Sequence, residues 1–250
     1  MISFKQRHFE KEIILMLVRW YVAYSLSCRD TEELALERGL NVDHSTINRW
    51  VIRYAPELEM AFRKKHKRAV GGSWRMDETY IKVKGQWVYL YRAVDKEGKT
   101  IDFMLSEQRD EPAARAFFEK AIGSSGLPEK INMDKSGANK AGIDTINMYL
   151  FVQLLSGNFC HQIFVRQIKY LNNMIEQDHR LIKKITWPMH GFKAFHSAEA
   201  TLAGIELHHM LRKNQHVSSE ILSIFEQFYQ LADSLPKNCI PKRDNFMSYA

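Results

Sequence analysis

Three acids stand at positions where carboxylates can do chemistry. Asp77 lies within Trp74-Arg75-Met76-Asp77-Glu78-Thr79-Tyr80, a predicted strand in which propensity would not select an acid. Asp134 closes the short run Ile131-Asn132-Met133-Asp134 and leads into Lys135-Ser136-Gly137, the kind of strand C-terminus at which open α/β sheets place ligands. Glu176 falls one turn into a helix opening at Asn172-Asn173, and spacings of 3, 4 and 7 put His179, Arg180 and Lys183 on its face. Carboxylates from two strands and one helix can converge on hard divalent ions. A pair of magnesium ions roughly 4 Å apart would activate a water or a DNA 3′-hydroxyl and stabilise the leaving oxygen of an in-line phosphoryl transfer, with Lys183 and Arg180 steadying the phosphodiester. Plainer readings compete: Glu176 with Arg180 as an ordinary i,i+4 pair, and Asp134 as a turn former beside Gly137. Glu78 ranks below Asp77 as a ligand, because strand alternation turns it to the opposite sheet face.

Periodicity supplies a frame for these residues. Ser73 to Val83, Gln86 to Val94 and Lys99 to Leu105 are β-branched and aromatic runs separated by Lys84-Gly85 and Asp95-Lys96-Glu97-Gly98, which predicts an antiparallel meander. Helices are expected at Glu111 to Ile122, Ile143 to Leu155 and Asn172 to Ile185, with short strands at Lys130 to Asp134 and Ile163 to Gln167. The expected fold class is therefore α/β, an RNase H-like mixed sheet flanked by helices. Two further helices, Ser197 to Arg212 and Ser218 to Leu235, close the chain.

Ahead of the sheet, Ile13 to Tyr24 and Thr31 to Arg38 read as helices, the second ended by Gly39. Asn41-Val42-Asp43-His44-Ser45 is turn and cap chemistry, and Ser45 to Tyr54 reads as a helix stopped by Pro56. This is a small all-α helix-turn-helix whose second helix offers Ser45, Asn48, Arg49 and Arg53 to base edges and phosphates. The basic run Arg63 to Arg68, including Lys64, Lys65 and Lys67, ends at Gly71-Gly72 and reads as a flexible connection lying against DNA. The expected division is a DNA-binding unit at 1–60, a basic linker at 61–72, a catalytic unit at 73–215 and a helical tail at 216–250.

Charge follows that division. The chain of 250 residues carries a net charge of +7, with 13 Lys and Arg against 9 acids in residues 1–70, 10 against 11 in 71–134, and 10 against 5 in 135–215. Basic blocks around an acidic centre suit a nucleic-acid protein that keeps carboxylates for another purpose. At 45% hydrophobic and 26% charged, the composition excludes disorder, collagen and a disulfide scaffold. No apolar stretch approaches the roughly 20 residues of a membrane helix, and the N-terminus lacks a signal-peptide core, so a cytoplasmic, nucleoid-associated protein without membrane contact is expected. Cys28, Cys160 and Cys239 show no paired spacing, as expected of reduced thiols. His8, His161, His208 and His209 lack metal spacing and read as surface or partly buried, and Trp87, Tyr89 and Tyr91 read as one packed sheet face.

Several blocks resemble the DDE transposases of the bacterial insertion-sequence-6 family. Met76 to Asp95 resembles the first catalytic block, Asn132-Met133-Asp134-Lys135-Ser136 the second, and Arg166 to His179 the third, while Asn41 to Val51 is similar to the family's helix-turn-helix. The resemblance runs in order from about residue 4 to residue 213. It implies that Asp77, Asp134 and Glu176 are the DDE triad, that Lys183 is the basic residue the family keeps on that helix, and that two magnesium or manganese ions serve the reaction. It further implies double-stranded DNA partners, the element's terminal inverted repeats and target DNA, joined by a replicative route. The interval from Asp134 to Glu176 is longer than is usual for the family and contains the apolar stretch Met148 to Leu155. Holding two DNA ends requires a homodimer or higher homo-oligomer.

Two other classes fit parts of the sequence. A non-catalytic, sequence-specific DNA-binding protein would need only the N-terminal unit, but would not need the triad and Lys183. A general RNase H-type nuclease would have no use for the helix-turn-helix, so removal of residues 1–60 is expected to separate nuclease from transposase.

Overall fold

The computed structural model describes residues 2, 4, 8–157 and 160–232. Three helices come first: α1 (Lys11–Ala23), α2 (Cys28–Leu36) and α3 (His44–Lys65). Asp43 caps α3, its carboxylate accepting from the Ser45 and Thr46 backbone N–H groups at 3.0 Å each. Contrary to expectation, Pro56 does not stop this helix, which continues through it to Lys65. The reason is tertiary: Ile47, Trp50, Val51, Tyr54, Ala55, Leu58 and Phe62 form one buried stripe across the proline, and that burial outweighs the lost hydrogen bond. The supposed linker is thus helical up to Lys65. Nor is Gly71-Gly72 a loose break, since Gly71 N–H donates to Asp95 and the Gly72 carbonyl accepts from Glu129 N–H at 2.9 Å.

Strands β1 (Ser73–Val83), β2 (Gln86–Asp95) and β3 (Thr100–Ser106) form the expected meander. Lys84 and Gly85 both take positive φ, 50° and 78°, as a two-residue hairpin turn requires. Then follow α4 (Glu111–Ser125), β4 (Lys130–Asn132), α5 (Gly137–Leu155), β5 (Phe164–Arg166), α6 (Asn173–Thr186), α7 (Phe195–Arg212) and α8 (Ile224–Gln230). The sheet order is β3-β2-β1-β4-β5, with β4 parallel to β1 and β5 parallel to β4. An antiparallel meander continued by two parallel crossover strands is the RNase H-like arrangement. Helix α5 begins earlier than periodicity implied, while α8 is shorter than the expected helix. Residues beyond Ala232, with Cys239 and most of the expected tail, lie outside the described residues.

Both sheet faces are covered, which is why β2 is buried without interruption from Leu90 to Asp95. On one face Trp74, Met76, Tyr91 and Ala93 pack with Phe117 and Phe118 of α4 and Ile143 of α5. On the other, Ile81, Val83, Val88, Leu90, Phe103 and Leu105 join Ile182 of α6, Leu202 and Leu207 of α7, and the buried stripes of α1 and α3. The N-terminal helices therefore share one continuous core with the sheet. No described helix is long and apolar enough to cross a membrane, and Cys28 and Cys160 are free thiols.

Candidate active site

The parallel pairing of β1 with β4 determines where the acids meet. Arg75 lies opposite Asn132, so two residues further along each strand Asp77 and Asp134 come level at the end of β4. Carboxylate oxygens of Asp77, Glu78 and Asp134 lie within 4.8 Å of one another. Glu78 thus joins the cluster, correcting the expectation from strand alternation. Because β4 stops at Asn132, short of the level of Asp77 and Glu78, side chains from both faces of β1 reach the same point beyond its end. The Glu78 side chain is only 4% exposed. Burial pushes its carboxyl above the usual range, with bonds from Asn139 and Arg109 opposing the shift.

Arg109, in the loop between β3 and α4, bridges the acids. It donates to Glu78 at 3.3 and 3.4 Å and to Asp134 at 3.1 Å. Asp134 also accepts from Ser136 N–H at 3.0 Å and from the Asn139 amide at 3.4 Å, so the start of α5 orients it. The set is all oxygen, three acids from two chain segments, and it fits a hard divalent cation.

Asp77 is steered from behind by a buried ionic network. Arg92 of β2, fully buried, holds Glu206 of α7 at 2.5 and 3.0 Å and Asp178 of α6 at 2.8 Å. Its remaining Nη1 donates to His179 Nδ1 at 3.2 Å. A guanidinium can only donate, so the imidazole carries its proton on Nε2, which donates to Asp77 Oδ2 at 3.3 Å. Burial lowers the His179 pKa, and Arg92 adds to that against the pull of Asp77. His209 and Lys213 close the network on Asp178, each at 2.7 Å. Burial opposes ionisation of Asp178, yet the His209 bond and the charges of Arg92 and Lys213 hold its carboxyl well below the usual range. His208 and His209, expected at or near the surface, are both buried.

Glu176 stands one turn before His179 on α6, roughly 4.5 Å along the helix axis. Its side chain is exposed and is not one of the three clustered acids. Arg180 and Lys183 are also exposed and follow Glu176 along one flank, whereas His179 turns inward with Ile175 and Ile182. Among the described residues Glu176 and Arg180 form no ion pair, so the ordinary i,i+4 pair is not what holds them.

Residues 71–215 match a family profile described as a DDE domain. The chain is 42% identical over 218 residues to the transposase for insertion sequence-like element IS431mec of Staphylococcus aureus strain Mu50, covering 87% of this chain and 92% of that protein. The chain belongs to the insertion-sequence-6 family of DDE transposases. It is 41% identical, with the same coverage, to the S. aureus transposase for insertion sequence element IS257 in transposon Tn4003. Among solved structures it is similar to the simian T-cell lymphotropic virus intasome in complex with PP2A regulatory subunit B56 gamma, at 14% identity and a TM-score of 0.41, over 71% of this chain and 60% of that one. As a DDE transposase the protein is a polynucleotidyl transferase acting in DNA transposition.

The DNA-binding candidates of this transposase divide in two. Ser45, Arg49 and Arg53 are exposed on α3, Asn48 is half-buried beside them, and Lys64 and Lys65 are exposed at its end. Lys67 and Arg68 are committed elsewhere. Lys67 donates to the Ile101 carbonyl at 2.6 Å, and burial, with the Arg63 charge, lowers its pKa to about 8. Arg68 donates to the Val217 carbonyl and to Glu220. Both pin the connection to the body, which a count of basic residues has no means of revealing. Trp87 is 62% exposed while Tyr91 is buried, so the expected packed aromatic face covers only its inner end. Sequence reasoning missed Arg109, Arg92 and Glu206. A lone arginine after Glu107-Gln108 carries no signal, but Arg92, flanked by Tyr91 and Ala93 in an apolar strand, breaks the pattern as Asp77 does.

Proposed function

We propose that this transposase binds the terminal inverted repeats of its element through residues 1–60 and cuts and joins them to target DNA at Asp77, Asp134 and Glu176, with Lys183 and Arg180 on the phosphodiester. The observation that carries this reading is the meeting of the Asp77 and Asp134 carboxylates at the end of β4. Two magnesium or manganese ions held by the triad would supply charge neutralisation for both the attacking and the leaving oxygen. The chain's own residues prepare the place. His179, locked in one tautomer by Arg92, orients Asp77; Ser136 and Asn139 orient Asp134; Arg109 neutralises the acids. Glu176 has no ion-pair partner among the described residues, so its carboxylate is uncommitted, one helical turn from the His179 that touches Asp77. Glu78 adds a fourth carboxylate to the set.

Recognition of the repeats falls to Ser45, Asn48, Arg49 and Arg53, with Lys64 and Lys65 on flanking phosphates. The protein works in the bacterial cytoplasm, at the nucleoid. Two copies hold two ends, an association supported by the apolar surface of α5, where Met148, Tyr149, Val152 and Leu155 are each more than half exposed. The test is strand transfer of a labelled duplex ending in the terminal repeat, with magnesium and with EDTA, for wild type and Glu176→Gln. Metal-dependent joining that disappears in the variant is expected. Joining that survives in Glu176→Gln would remove Glu176 from the triad and leave Glu78 as the third carboxylate.

A further inference from the structure

A recess opens beside the first residues of β1 and β4, the strands that lead to the catalytic acids. It encloses about 400 Å³ and is lined by Gly71, Gly72, Ser73, Arg75, Lys96, Glu129, Lys130, Arg166 and Leu171. Four side chains around it are cations, contributed by β1, the β2–β3 turn, β4 and β5, against one acid, Glu129. Among the described residues none of the four has a carboxylate within ion-pair distance. Arg75 spends one of its donors on the Asp95 carbonyl at 3.1 Å, and the buried Nε of Arg166 has no hydrogen-bond partner. Gathering like charges and leaving a buried donor unmet both cost stability, a cost that an anion in the recess would offset. The rim is built: Trp74 Nε1 donates to the Gly71 carbonyl at 3.0 Å, and Gly71 and Gly72 are tied to Asp95 and Glu129. Arg75 and Asp77 point to the same face of β1, two residues or roughly 7 Å apart.

We propose that this recess binds phosphates of the target DNA backbone, holding the target beside the carboxylates. The inference rests on the strand-transfer reading above and adds a target site to it. Target rather than terminal repeat follows from the chemistry of the lining. It contains charged stems and small residues, with no Asn or Gln amide for reading bases and no helix presented for a major groove. Such a surface takes DNA of any sequence, whereas the terminal repeats have the exposed face of α3 to read them.

The test uses the full chain with Lys96→Gln/Lys130→Gln, and a triple variant adding Arg166→Gln. Lys96 is exposed and Lys130 lies at a strand end, so the double variant keeps the fold if the buried-edge Arg166 change does not. Three quantities are compared with wild type: affinity for a random-sequence duplex across salt concentrations, affinity for the terminal-repeat duplex, and end cleavage against strand transfer into plasmid in magnesium. The expected result is about a tenfold loss in random-duplex affinity and in strand transfer, and a salt slope shallower by about one for each cation removed. Repeat binding and end cleavage stay within about twofold. An unchanged salt slope overturns the proposal, and so does an equal loss of repeat binding, which would assign the recess to the donor end. If wild type binds repeats but neither cuts nor joins them, the catalytic reading fails, and the random-duplex slope still decides whether the recess holds phosphate.

Discussion

Arg109 places one positive charge between Glu78 and Asp134, where a divalent cation would otherwise meet three acids. Removing that charge makes the cluster more negative without removing a ligand. Arg109→Ala is therefore expected to bind Mn2+ about tenfold more tightly in the absence of DNA, a factor worth ~1.4 kcal/mol and well under the unscreened Coulomb value, since the arginine is partly exposed. Titration followed by Mn2+ electron resonance reads this directly, and weaker binding would mean that Arg109 holds the acids in place instead. His208 makes a different prediction. Burial, with the charges of Arg212 and Arg19, holds its pKa down to about 3. The unfolded chain takes up this proton near pH 6.5 and the folded chain only near 3, so stability is full above about 6.5 and falls as pH drops through that window. His208→Leu should flatten the fall, measured as urea midpoints at several pH values; an unchanged slope would show that His208 is not held neutral.

At the scale of elements, α6 and α7 are fixed to the sheet by charge as well as by packing. Arg92 reaches Asp178 and His179 on one helix and Glu206 on the other, so the helix carrying Glu176 is registered against the strand next to Asp77. Close helix contact does the rest. At Gly204 of α7 an added Cβ would stand 2.7 Å from Val22 Cγ1 of α1 and 2.9 Å from Ala55 Cβ of α3. Alanine is the better helix former by about 1 kcal/mol, but overpacking three helices costs about 1–3 kcal/mol. Gly204→Ala is expected to be net destabilising in denaturant unfolding, and a stabilised variant would show that the three helices can move apart.

Across the whole molecule, the N-terminal helices and one face of the sheet share a single hydrophobic core. The stripes of α1 and α3 cover Leu202, Ile205, Leu207 and Met210 of α7 in the core that also contains Ile81 and Leu90 of the sheet. Cutting after residue 65 would expose that surface. A fragment of residues 66–250 is expected to aggregate or to lose cooperative unfolding, whereas the full chain unfolds in one transition by calorimetry. A soluble, cooperative fragment would establish an independent catalytic unit. For the same reason, deleting residues 1–60 tests folding before it tests repeat recognition.

The order and type of the elements can be read in the residue sequence, because period and turn chemistry are local: the meander with its Lys84-Gly85 turn, the helices at α4, α6 and α7, and the unusual placement of Asp77 in a strand. The family is legible there too, since long blocks of similar residues keep their order. Packing of the whole chain sets what those residues touch. It carried α3 through Pro56, because a buried stripe outweighs one missing hydrogen bond. It brought Glu78 to Asp77 by ending β4 at Asn132, tied Lys67 and Arg68 to the Ile101 and Val217 carbonyls, and enclosed Arg92 among acids distant in sequence. Strand ends, burial and ion pairing between distant segments arise from the packing of the whole chain, and no local window of residues contains them.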